Sequence, residues 1–314
     1  MPTPLQVRLA VIVPAGPRDD VLDTLASVVR YTEPSRIILV VDDTGTLSGD
    51  SRIRSLSTDI AVIPAPSGLP PGTQGGLWVK LAAGYRWILE RYQPRIVLRL
   101  DADALLLGPG LEDAAEQAFA RSPEVGLLGS YRIGADGQSR DFSWPARQLR
   151  AEAGIRGLLH PRRRAVLRHY LRLARGSGYV AGEHVLGGAY IHSWAAVHSM
   201  DEKGWFAESW PAWSELADDH LTALITVAAG YRLGDFGGPA GPLALKWKGL
   251  PAHPADLLAA GKLVTHSVRS WQDLDERQIR GFFAQARQVP ASGAASTSES
   301  GAQSPALDDA SRPH

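Results

Sequence analysis

Residues 96–103 read Ile-Val-Leu-Arg-Leu-Asp-Ala-Asp, a short apolar run that ends abruptly in two carboxylates. A run of this length with polar boundaries is the pattern of a strand buried on both faces. Asp101 and Asp103, at i and i+2, leave such a strand pointing to the same side. The stretch therefore predicts a buried, parallel strand with a polar crevice beyond its carboxyl end.

The flanking sequence agrees. Residues 8–14 (RLAVIVP), 37–41 (IILVV), 60–63 and 125–128 have the same strand-like character. Between them Val21, Leu22, Leu25, Val28 and Val29 recur at helical spacing, after Asp19 and Asp20, whose charges suit a helix N-terminus. Residues 77–91 and 111–120 read as further helices, and a Pro/Gly-rich loop spans 64–76. Strands alternating with helices imply an α/β fold, a Rossmann-type, mostly parallel sheet with helices on both faces. Ligands of such sheets bind in the crevice beyond the carboxyl ends of the strands. Asp42, which closes the second strand, and the pair at 101 and 103 should then share one crevice.

The chain has 314 residues, is 44% hydrophobic and has formal net charge zero. That suffices for one large α/β domain or two small ones. A balanced charge argues against nucleic acid as a partner, which demands an excess of Lys and Arg. With no cysteine, disulfides, thiolate metal sites and cysteine nucleophiles are excluded. No apolar run approaches the roughly 20 residues of a transmembrane helix, and residues 1–4 lead directly into a strand. The expectation is a soluble, cytoplasmic protein.

The second half is less regular. Residues 147–175 carry nine arginines against one acid, Glu152. They read as a solvated helical hairpin, a clamp for an anionic acceptor, or a peripheral contact with an acidic membrane, the first favoured. A Gly187-Gly188 turn, a Trp-rich loop, a helix over 215–229 and a strand over 231–236 follow. After residue 288 the composition is that of a disordered tail.

Several residues can carry chemistry. Asp101 and Asp103 can hold a divalent cation against the oxygens of a diphosphate, since Mg²⁺ and Mn²⁺ favour hard oxygen ligands. A second acid pair, Asp273 and Asp275, stands where a helix begins and serves its dipole. Asp42 and Asp43 either meet a nucleoside or only build a turn with Thr44 and Gly45. Asp218 and Asp219 either stabilise a helix N-terminus or supply a general base. His266 can complete an octahedral site with Asp103, although a lone histidine after a strand is more often structural. Lys80, Lys246 and Lys248 can neutralise phosphates. Trp205, Phe206, Trp210 and Trp213 suit either sugar stacking or core packing.

Taken in order, AVIVP, VVDD, LRLDADALL, the Gly-Gly turn and ADDHLTALITVAAGYRL resemble the inverting, family-2-like glycosyltransferases of the GT-A fold. The most specific match is an acidic pair followed eleven residues later by Gly-Tyr, here Asp219 and Gly230-Tyr231. The resemblance spans about residues 8–270, without the arginine-rich insert at about 145–178. It implies a nucleotide-sugar-binding half (1–130) and an acceptor-binding, catalytic half (131–288), ahead of the tail at 289–314. It further implies that Asp42, Asp43 and Lys80 serve the nucleotide, and that Asp101, Asp103 and His266 serve Mg²⁺ or Mn²⁺ and the diphosphate. On that resemblance Asp219 would be the general base, with Asp218 in place of the usual Glu, and Gly187 and Gly188 would shape the acceptor site, where Trp210 and Trp213 would belong if they serve sugar stacking. The implied substrates are a UDP- or GDP-sugar and an acceptor hydroxyl. The loop after the second strand, DDTGTLSGD, matches the family pattern only loosely, and the signature of processive polymer synthases is missing. The rival readings are a sugar-phosphate nucleotidylyltransferase and a non-catalytic nucleotide-sugar-binding module.

Overall fold

The computed structural model describes residues 3–17, 20–70 and 73–288. The expectations placed on Asp19 and on the tail at 289–314 lie outside the described residues.

Four strands form the parallel half of a seven-stranded sheet: β1 (Leu5–Ala15), β2 (Arg36–Asp42), β3 (Ile60–Pro64) and β4 (Tyr92–Leu100). After the short β5 (Ala104–Leu106), the other half is β6 (Val125–Gly129), β7 (Ala189–Ser193) and β8 (Arg232–Asp235). The order is β3-β2-β1-β4-β7-β6-β8, with β7 antiparallel to both of its neighbours. The mixed, mostly parallel α/β sheet expected from the alternation is therefore present.

Alternate residues of the central strands feed two cores, as the two-residue period of a strand requires. Leu9, Val11 and Val13 face α1 (Val21–Tyr31), α2 (Ser51–Leu56) and α4 (Leu111–Arg121). Ala10 and Ile12 face the opposite layer. That layer holds α3 (Gly76–Leu89), α7 (Trp194–Glu202) and α8 (Asp218–Ala228). It also holds a helical hairpin, α5 (Ser143–Ala153) and α6 (Pro161–Gly176), whose Leu167, Tyr170, Leu171 and Ala174 are buried.

β4 begins at Tyr92, four residues earlier than its apolar run suggests. Pro94 hides this start from the sequence, since proline cannot donate within a ladder. It is tolerated because β7 pairs only with residues 96–100, so Pro94 has a strand neighbour on one side only. The late helix begins at Asp218, not at 215: Ser214 and Glu215 are tied to Glu152 of α5 and cannot join the first turn.

A second sheet decides where the late residues go. β5 pairs antiparallel with β10 (Val264–His266), which runs parallel to β9 (Leu243–Leu245). This places His266 opposite Ala104, next to Asp103. α9 (Pro254–Ala259) and α10 (Glu276–Gln288) cover it. Asp275 lies in a short strand and accepts from the Gln278 N–H at the start of α10.

Candidate active site

The acids closing β4 meet His266 directly. Its Nε2 lies 3.3 Å from Asp103 Oδ1 and 3.6 Å from Asp101 Oδ2. Its Nδ1 donates to the Lys246 carbonyl at 3.0 Å, because a carbonyl oxygen can only accept. That bond leaves Nε2 as the nitrogen turned toward the two carboxylates. It is the arrangement by which a backbone carbonyl behind the ring orients a metal-ligating imidazole. Asp103 also accepts from Ser267 Oγ at 2.7 Å and Arg269 Nε at 2.9 Å. Burial opposes its ionisation, but His266, Ser267 and Arg269 together hold the carboxyl well below its ordinary range.

The donor set of two carboxylates and one imidazole fits a hard divalent cation with room for phosphate oxygens and water. A second trio, His184, Asp219 and His220, also lies within ligand distance of itself. The lone pairs of its two histidines are already used. His184 Nε2 faces the Arg140 guanidinium at 2.8 Å, which can only donate, and His220 Nδ1 accepts from the Ala217 N–H at 3.3 Å. Burial pushes the His184 imidazole down, against the pull of Asp219. The first trio is the better cation site.

Arg99 joins the two halves of the site. Its Nη2 is 2.8 Å from Asp101 Oδ1 and 3.2 Å from Asp218 Oδ2, and the side chain is 1% exposed. Tyr190 donates to Asp218 at 3.4 Å, and the guanidinium carbon lies 5.3 Å from the centre of that ring. Burial pushes Asp218 up to about 7 against the pull of Arg99, with repulsion from Asp219 and Asp101 adding to it.

Asp219 faces the other way round the same turn. Its Oδ2 accepts from the Gly187 N–H at 3.0 Å, and its Oδ1 from the His220 N–H at 2.8 Å. Burial opposes ionisation here too, but His220, His184 and the Gly187 N–H outweigh it and keep the carboxyl below its ordinary value. Gly187 and Gly188 form the partition between this acid and the cation trio. Gly188 has φ +98°, and a Cβ there would stand 2.5 Å from His266 Nδ1. Its carbonyl accepts from the Asp101 N–H at 2.8 Å. One dipeptide therefore touches Asp101, His266 and Asp219.

Beyond the carboxyl end of β2, Lys80 Nζ pairs with Asp43 Oδ2 at 2.6 Å. Both line a cavity of about 700 Å³ with Gly68, Leu69, Thr73 and Gln74. Asp42 is spent differently: Oδ1 accepts from the Thr44 N–H and hydroxyl and Oδ2 from the Leu47 N–H. Of its two readings, the turn is the one its bonds describe. Trp205, Phe206 and Trp210 are buried. Phe206 stacks on Tyr85 at 4.8 Å, and Trp210 lies 5.5 Å from Tyr170. Packing describes those three, while Trp213 is 57% exposed. Lys246 abuts the cation trio through its backbone, and Lys248 lies over the exposed Trp247 ring at 4.5 Å.

Sequence reasoning passed over Arg99, His184, His220, Ser267 and Arg269. Only Arg99 left a signal, a lone charge in an otherwise apolar strand two positions before Asp101. His220 and Ser267 directly follow Asp219 and His266 in the sequence, whereas His184 and Arg269 reach the site through pairings that no local pattern encodes.

No protein-family model and no curated protein sequence matches this chain. Solved structures show a faint likeness. A cytidylyltransferase from Leptospira borgpetersenii shares 8% identity at TM-score 0.39, over 74% of this chain and 76% of that one. Mouse xyloside xylosyltransferase 1 shares 12% at TM-score 0.42, over 84% and 98%. The bifunctional glycosyltransferase WbbM shares 12% at TM-score 0.46, over 90% of this chain and 50% of that one. Likeness of this degree assigns neither family nor activity.

Proposed function

We propose that this chain is a glycosyltransferase that moves a sugar from a UDP- or GDP-linked donor to an acceptor hydroxyl with inversion, assisted by Mg²⁺ or Mn²⁺. The observation that carries the reading is the Gly187-Gly188 partition, with a cation trio on one side and a buried aspartate on the other.

Asp101, Asp103 and His266 would hold the cation, whose chemistry is to neutralise charge growing on the departing diphosphate. Arg99 holds Asp101 in place and keeps Asp218 beside it. The Asp43–Lys80 pair and the adjoining cavity suit the nucleotide. In the transfer, a bond forms between the acceptor oxygen and the anomeric carbon as the carbon–diphosphate bond breaks. The acceptor proton passes to Asp219, whose low pKa suffices because the hydroxyl becomes acidic only late in the displacement. The Gly-Gly turn beside Asp219 offers a wall for the acceptor, and the exposed Trp213 ring is free to stack on it.

The test is a set of UDP-, GDP- and CDP-sugars, each with and without Mn²⁺, followed by thermal unfolding and by phosphorus NMR. One donor should raise the melting temperature only with Mn²⁺ and release a nucleoside diphosphate when an acceptor is supplied. Asp103→Ala should abolish the Mn²⁺-dependent rise. Asp219→Asn should keep it and lose turnover by about 10²-fold or more, the usual scale for a lost general base. Pyrophosphate release from a nucleoside triphosphate and a sugar phosphate would instead identify a nucleotidylyltransferase. Full function in Asp219→Asn would leave only a binding module.

A further inference from the structure

The hairpin of α5 and α6 is built unlike the rest of the surface. The turn between its helices, a short 3₁₀ segment at Arg156–Leu159, exposes Ile155 (84%), Leu158 (59%) and Leu159 (83%) side by side. Adjacent to this tip, a cavity of about 620 Å³ between the helices is lined by Arg150, Arg164, Arg168, Arg172 and Arg175. Along α6 the last four recur at spacings of four, four and three, so they form one stripe beside the buried Leu167 and Leu171. Like charges at this spacing repel. Among the described residues, Arg150, Arg168, Arg172 and Arg175 have no acidic partner; the single acid of the hairpin, Glu152, is buried and bonded to Ser214 and the Glu215 N–H. A chain of zero net charge thus gathers cations without acidic partners around a cavity and, in the turn that follows its lining residues Ala153 and Gly154, exposes three aliphatic side chains.

We propose that this hairpin docks on an anionic bilayer, with Ile155, Leu158 and Leu159 entering the acyl boundary and the arginine cavity taking lipid phosphates. Nucleic acid or a phosphorylated peptide would satisfy the arginines but leave the aliphatic tip in water. A purely apolar partner would leave the cavity uncompensated. An anionic lipid surface satisfies both together, since cationic residues and an apolar face are the two signals that peripheral anchoring combines. The assignment does not depend on the transferase reading. It would set the orientation of the candidate site, because Glu152 and Arg163 clamp the segment at residues 213–215 that leads into α8.

The experiment is sedimentation of the full chain with phosphatidylcholine vesicles, with and without phosphatidylglycerol. Binding is expected to the anionic vesicles only and to weaken with salt. Leu159→Glu, at an exposed site where the melting temperature should match the parent's, should cut the partition coefficient about tenfold or more, in line with the cost of a charge among acyl chains. Arg168→Ser with Arg172→Ser should cut it by roughly fivefold per arginine. Because the chain has no cysteine, Leu159→Cys can carry a single polarity-sensitive dye, whose emission should shift to the blue on anionic vesicles alone. Equal partitioning of parent and Leu159→Glu, or no sedimentation with either vesicle, overturns the proposal. So does saturable binding of inorganic phosphate or an RNA oligomer without vesicle association.

Discussion

Gly188→Ala tests the partition at the centre of the site. At φ +98° a side chain costs about 1–2 kcal/mol before any contact is considered. The new Cβ would lie 2.5 Å from His266 Nδ1 and 2.9 Å from Cδ2, and closer still to Cγ. Ordinary carbon contacts begin near 3.5 Å, so the ring must retreat by roughly 1 Å. Overpacking of this kind adds about 1–3 kcal/mol. The total, about 2–5 kcal/mol, lowers the melting temperature by roughly 3–8 °C in a domain of this size. The displaced ring also leaves the Lys246 carbonyl, and loss of such an orienting bond weakens metal binding by about 10–100-fold. Gly178→Ala is the control: its φ is +89° with nothing within 4 Å of the new Cβ, so it should show the backbone cost alone. Urea unfolding measures the first effect, and the Mn²⁺ concentration needed for half-maximal thermal stabilisation measures the second. If Gly188→Ala is no less stable than Gly178→Ala and needs no more Mn²⁺, the placement of His266 against this turn is refuted.

Two further outcomes follow from the buried groups. Folded Asp218 holds its proton up to about pH 7, against 3.8 in the free carboxyl, so the folded state binds more protons across that window. Its contribution is therefore complete below about pH 4, falls as pH rises toward 7 and is flat beyond, with a ceiling of about 4 kcal/mol. Asp218→Asn should flatten that slope in urea titrations between these limits; an unchanged slope would place the buried proton elsewhere. Trp210→Ala should cost about 3–5 kcal/mol by opening a core cavity. Trp213→Ala should stay within about 0.5 kcal/mol of the parent, as exposed sites do. Equal losses from both would contradict their different burial.

How much of this was legible beforehand depended on the range of the interaction. The strands of the parallel half were readable because double-faced burial demands unbroken apolar runs, and Asp101 and Asp103 were readable because charge ends such a run at the crevice. The acids at 218 and 219 were read just inside a helix expected from 215, whereas they open it, and neither reading tells what they face. Asp42 looked equally suited to a ligand or a turn, and only its three donors within five residues show where its oxygens are spent. The Trp-rich loop was equally ambiguous, since an aromatic side chain is apt both for a core and for a binding face.

The amino-acid sequence by itself determined the alternation of buried strands and amphipathic helices, the acids at the strand end and the arginine excess of the hairpin, because each is a periodicity or a local concentration of charge. Tertiary structure alone decided the rest. The pairing of β10 with β5 brings Ser267 to Asp103 across 164 positions and His266 with it. The antiparallel β7 sets Tyr190 opposite Arg99, the one charge in the buried run at residues 96–100. Such contacts depend on which backbone groups find each other across the sheet, and a linear pattern carries no record of a partner that lies so far along the chain.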